Sequence, residues 1–218
     1  MAYDIAMLAR RRHFLSRAFT RIELLFSLAA LALLAALALP ALALNSPRSK
    51  VVQCLNNLRR IGQWFHLFAN DYADMFPWNV SAPDGGVGRP DDVAPIFQAI
   101  TPKIGVPVLY CPSDTMKTMS PGPGVTNLNV SYFVCLDANI NLSASWLSGD
   151  RNFWGSAPGS VSLSQTNNPG WDNAIHVLSG NILFADGSTA SYGNSQLSNI
   201  VQRATALNGG APLSLLRP

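Results

Sequence analysis

A chain of 218 residues has room for one globular domain, or for one domain and a membrane segment. Its net charge of +3 comes from residues 1–18, where Arg10, Arg11, Arg12 and Arg17 face Asp4 alone, and the rest balances to zero. A basic cluster placed directly before an apolar run excludes the nucleic-acid reading that a pI near 8.9 invites.

Residues 24–44 are an uncharged run of 21 residues dominated by Leu and Ala, both strong helix formers. At 1.5 Å per residue the run predicts a helix able to cross a hydrocarbon core of about 30 Å. The arginines ahead of it keep the N-terminus cytoplasmic and send the remainder across the membrane. A secretory signal ending at Ala41-Leu42-Ala43 and a plain anchor are competing readings. Glu23 stands at the mouth of the apolar helix, where a carboxylate is costly and calls for a partner. Pro40 bends the predicted helix.

Asn45-Ser46-Pro47 interrupts or restarts the helix, with Ser46 as N-cap and Pro47 in the first turn. Over residues 49–72, Val51, Cys54, Leu55, Leu58, Ile61, Phe65, Phe68 and Tyr72 recur at spacings of three and four. That pattern is one apolar stripe for a domain to pack on. His66 reads as a surface residue of this helix.

Residues 77–180 read as short segments between turns, with loop tips at Asp84-Gly85-Gly86 and Pro121-Gly122-Pro123-Gly124. Residues 130–136 are β-branched and aromatic and predict a strand, and residues 108–111 a shorter one. Asp186-Gly187 between residues 181–185 and 188–192 predicts a hairpin with a two-residue turn. Residues 195–207 carry a short helical stripe, and the tail 209–218 reads as mobile. Cys54, Cys111 and Cys135 lack metal-site spacing. They allow one disulfide of undetermined pairing, or three buried thiols.

Sharper chemistry is weak. His176 and Asp186, with Ser179 or Ser188, could form a nucleophilic triad, but a histidine that pins the hairpin explains the spacing more simply. Asp150 and Arg151 read as an ion pair holding a loop. Asp84, Asp91 and Asp92 lack EF-hand spacing for calcium. Trp146, Trp154 and Trp171 could form a glycan platform or a core. No catalytic group, metal site or cofactor is expected, and GxSxG, HExxH and phosphate-loop motifs are missing.

Residues 18–25, Ala18-Phe19-Thr20-Arg21-Ile22-Glu23-Leu24-Leu25, resemble the prepilin cleavage motif of type IV pilin-like proteins. Residues 54–62 with 69–72, the blocks at 110–114, 131–132 and 149–152, and His176 followed nine residues later by Asp186-Gly187 resemble one pseudopilin subfamily. Its H-x9-DG signature has no known chemistry. The resemblance implies cleavage between Ala18 and Phe19 by prepilin peptidase and methylation of the Phe19 amine. Ala18 stands where the family has Gly. It also implies that Glu23 pairs with a neighbour's N-terminal amine, and that Pro40 is the family's kinking proline.

The implied fold is α+β and pilin-like: one long N-terminal helix, half transmembrane and half amphipathic, on a small antiparallel sheet. The domains are then a cytoplasmic leader (1–18), a transmembrane half-helix (19–44), an amphipathic half-helix (45–76) and a periplasmic β-rich domain (77–218). The implied function is a structural pseudopilin of a type II secretion or type IV pilus-like filament, single-pass in the bacterial inner membrane. Its partners would be prepilin peptidase, other pilin-like subunits and the membrane, with no nucleic acid. The alternative is a membrane-anchored periplasmic ligand- or glycan-binding module that does not polymerise.

Overall fold

The computed structural model describes residues 20–43, 46–119, 124–153, 158–167 and 169–218, with no side chains described for 37–43. The chain divides into two units, residues 1–44 and 45–218.

In the first unit, helix α1 (Arg21–Ala43) starts in a capping box. The Thr20 backbone N–H and hydroxyl both donate to Glu23 Oε2 at 2.9 Å, and Glu23 N donates to Thr20 Oγ1 at 3.2 Å. The expected single-pass segment is not borne out: among the described residues no helix is long and apolar enough to cross a membrane. The first turn holds Arg21 and Glu23. The apolar residues 24–36, whose side chains are described, span about 20 Å, against a hydrocarbon core of about 30 Å. The expected inner-membrane location falls with this segment.

The second unit opens with α2 (Pro47–Asp71), a separate helix and not the continuation of a long one. Ser46 caps it, its hydroxyl accepting from Ser49 N at 3.2 Å, with Pro47 in the first turn. Of its predicted stripe, Cys54, Leu58, Ile61 and Phe65 are buried, and Ala69 is buried beside them. Helix α3 (Ala94–Ile104) lies beside α2 in the same core and buries Ile96, Phe97, Ile100 and Ile104. Residues 106–109 form a 3₁₀ turn instead of the start of a strand, since Gly105 at φ 78° and Pro107 break extension.

The sheet is larger than expected. Its six strands are β1 (Tyr132–Cys135), β2 (Trp146–Asp150), β3 (Gly159–Leu163), β4 (Ser179–Phe184), β5 (Thr189–Gly193) and β6 (Leu213–Arg217). They pair antiparallel in the order β3-β6-β1-β2-β4-β5. The supposed mobile tail is thus an interior strand: Leu216 pairs with both Val134 and Ser160. Both faces of the sheet are covered. Tyr132, Val134, Leu147 and Leu183 meet α2 and α3 on one side. Phe133, Cys135, Trp146 and Ile182 meet Leu197, Val201 and Ala204 of α4 (Asn194–Leu207) on the other. A long N-terminal helix on a small sheet is therefore not this architecture; a six-stranded sheet lies between helices.

The hairpin stands where Asp186-Gly187 predicts it, with a longer loop. Phe184 N donates to Ser188 O at 2.9 Å, and Gly187 N to Phe184 O at 3.0 Å. Three residues are enclosed, and Gly187 alone of them has positive φ, at 82°. That is a turn closed by a left-handed glycine, not the two-residue form, whose two central residues both need positive φ.

Candidate functional site

The blocks read separately along the chain come together at one place beneath α2. The loop after the 3₁₀ turn (Val106–Leu109) brings Cys111 and Asp114, and the end of β2 brings Gly149 and Asp150. Arg151 and Asn152 follow, and His176 arrives just before β4, bridged to Ser179. Cys111 is joined to Cys54 of α2 by a disulfide with Cα atoms 5.3 Å apart, and Cys135 is free and buried. Burial pushes the Cys135 thiol up to about 12, so it remains an unreactive thiol.

The charges here are almost dry. Arg151 donates from Nε to Asp114 Oδ2 at 2.8 Å and from Nη2 to Oδ1 at 2.6 Å, a bidentate pair with side chains 5% and 0% exposed. The expected loop ion pair does involve Arg151, but its partner is Asp114, not Asp150. Asp150 Oδ2 accepts from Asn181 N at 2.8 Å and lies 3.5 Å from His176 Nε2, itself 3.7 Å from Cys111 Sγ. Asn152 Nδ2 donates to Asp172 O and Ser179 O, both at 3.1 Å, which ties the strand ends together. Gly149 has no room for a side chain: a Cβ would sit 2.6 Å from both Asn181 O and Phe133 Cε1.

Burial raises the Asp150 carboxyl to about 8, against the relief of hydrogen bonds from Asn181. Burial lowers the His176 imidazole to about 4. The pair therefore holds one proton from about pH 4 to pH 8, whichever partner carries it. In the unfolded chain the histidine holds that proton only up to about pH 6.5. The pair's contribution to stability is flat from pH 4 to 6.5. It then falls as pH rises to 8, because the folded state alone still binds the proton. At 1.36 kcal/mol per pH unit the loss is about 2 kcal/mol. Urea melts at pH 6.5 and 8.0 test this: Asp150→Asn abolishes the loss, and equal wild-type stability at the two pH values refutes it.

His176 and Asp186 serve different places. Asp186 Oδ1 accepts from Ser188 N at 2.8 Å within its own turn, while His176 faces Asp150 and Cys111. Gly187 lies against His66 of α2, in an open cleft of about 860 Å³ that also holds Arg59, Asn70 and Asp186. His66 is thus half-buried under the hairpin, not a plain surface residue. Trp146 and Trp171 are core side chains, each 1% exposed, so they offer no glycan platform. Trp154 lies outside the described residues. Asp84 accepts from Ser81 Oγ, and Asp92 from Ala94 N and Asn127 Nδ2, so both serve turns and caps.

Of the N-terminal residues, Ala18 and Phe19 lie outside the described residues, and Pro40 lies within α1. Glu23 is exposed, and its bonds from Thr20 hold its carboxyl below the usual range. This capping role was readable as Thr-x-x-Glu and was missed. Asp114 was seen only as the end of a block; sequence offers no signal that joins it to Arg151.

No family model matches the chain, and no curated protein or solved structure is found to be similar. With no matching family and no membrane-crossing helix among the described residues, the type II secretion pseudopilin labels lack support and are set aside.

Proposed function

We propose that the chain is a structural subunit, matured by cleavage between Ala18 and Phe19, that assembles with copies of itself through α1. The observation that carries this reading is α1. Ile22, Leu25, Phe26 and Leu34 are each more than 60% exposed within the chain, and no polar face interrupts them beyond the first turn. An all-round apolar helix needs neighbours on every side, and a bundle of like helices supplies them. Residues 18–25, which resemble a prepilin cleavage motif, come at its start in the sequence. The buried Arg151–Asp114 pair supports the same reading, because its two side chains are committed to each other and hold a loop in place.

The test is processing followed by assembly. Mass spectrometry of the mature chain, after co-expression with a prepilin peptidase, should find an N-terminal methylated Phe19. Cysteines introduced along α1 should cross-link between copies. Glu23→Ala should abolish cross-linking while leaving the fold of residues 45–218 unchanged by circular dichroism. An uncut Met1, or cross-linking unaffected by Glu23→Ala, overturns the proposal.

A further inference from the structure

Cys54, Cys111 and His176 offer three ligand atoms within 4.8 Å of one another, all from buried residues. They come from three separate parts of the fold: α2, the loop after the 3₁₀ turn, and the segment before β4. In the oxidised chain the two sulfurs are spent on the disulfide. We propose that reduction of this disulfide uncovers a zinc site, with Cys54 Sγ, Cys111 Sγ and His176 Nε2 as ligands.

The geometry suits a tetrahedral ion. With Zn–S near 2.3 Å and Zn–N near 2.0 Å, a sulfur and a nitrogen on one zinc stand about 3.5 Å apart. His176 Nε2 is 3.7 Å from Cys111 Sγ. Two thiolates on one zinc stand about 3.8 Å apart. Rotation of the two side chains can supply that separation with Cα atoms 5.3 Å apart, as they are here. Asp150 Oδ2, 3.5 Å from the same imidazole nitrogen, places an oxygen atom at the edge of the site. Two thiolates and one imidazole form a soft ligand set that selects zinc over magnesium or calcium.

There is a path in. A cleft of about 370 Å³, lined among others by Arg48, Lys50, Val51, Ser113 and Ser179, opens onto His176. Its two cations suit the thiolate of an attacking dithiol. The dithiol takes over the disulfide bond and is itself oxidised, giving up two electrons and two protons to leave Cys54 and Cys111 as thiols. Zinc binding then displaces those two protons to solvent. The site is thus a redox-gated one: closed as a disulfide, open as a dithiol.

Cobalt(II) and zinc titrations of the full chain test this, before and after reduction with a phosphine, which ends as phosphine oxide. The reduced chain should bind one Co²⁺ with a thiolate-to-cobalt absorption band that zinc bleaches, and the oxidised chain should bind none. His176→Ala should weaken binding at least tenfold and alter the cobalt spectrum. Cys54→Ser, which keeps the histidine, should lose tight binding while staying folded. The proposal fails if the reduced chain binds no ion, or if the oxidised chain binds equally. It also fails if His176→Ala binds like the wild type, or if reduction unfolds the chain and added metal does not restore its circular dichroism.

Discussion

Asp114→Ala should lower stability by about 3–5 kcal/mol, because it leaves the Arg151 guanidinium buried and unpaired. Arg151 gives both its Nε and one Nη to Asp114, and its side chain is 5% exposed, so water cannot replace the lost carboxylate. Asp114 also accepts from Met116 N at 3.1 Å, so the loop after Cys111 loses its anchor as well. The double variant Asp114→Leu with Arg151→Met should recover much of the loss, since replacing a buried pair by apolar groups is often neutral. Guanidinium melts of the three proteins check this. A loss under about 1 kcal/mol for Asp114→Ala would show that the pair is solvated in solution.

Removing the Cys54–Cys111 disulfide should cost about 4 kcal/mol. The bond closes a loop of 57 residues, and chain-entropy scaling gives that magnitude for such a loop. The bond ties α2 to the loop that carries Asp114, so it also positions the ion pair. Cys54→Ala with Cys111→Ala, melted beside the wild type under oxidising conditions, should show the loss. Adding reductant to the wild type in the presence of a chelator should reproduce it. If the double variant melts where the wild type does, the bond does not form.

How much of this was legible depended on distance along the chain. Helix α2 was readable because its apolar residues recur at three and four on one face, and Ser46-Pro47 marks its start. The β4–β5 hairpin was readable because Asp186-Gly187 is a local turn signal. Helix α3 was hidden by Pro95 and Pro102, which argue against a helix yet sit in its first turn and near its end. Strand β6 was hidden because it is short and follows Gly209-Gly210. Buried on both faces, it shows no clean alternation of apolar and polar residues. The site was visible only as fragments. Cys54, Cys111, Asp114, Asp150 and His176 are each plain in the sequence, but the fold alone brings them together, through strand pairings that no local pattern encodes. The apolar run at residues 24–44 is legible as composition, yet its length in sequence did not translate into a membrane-crossing helix among the described residues.

Strand β6 also has a kinetic meaning. It is the last strand in chain order, yet it is wedged between β3 and β1, joining Leu216 to Val134 and to Ser160. Until it is made, β1 holds an open edge and β3 has no strand to pair with, so only β1, β2, β4 and β5 form a sheet. Such edges invite pairing with other chains. The sheet must therefore close late, through contacts distant in sequence, which is a slow step and one exposed to aggregation. A nascent chain of this design keeps the β1 edge open until residues 213–217 have been made.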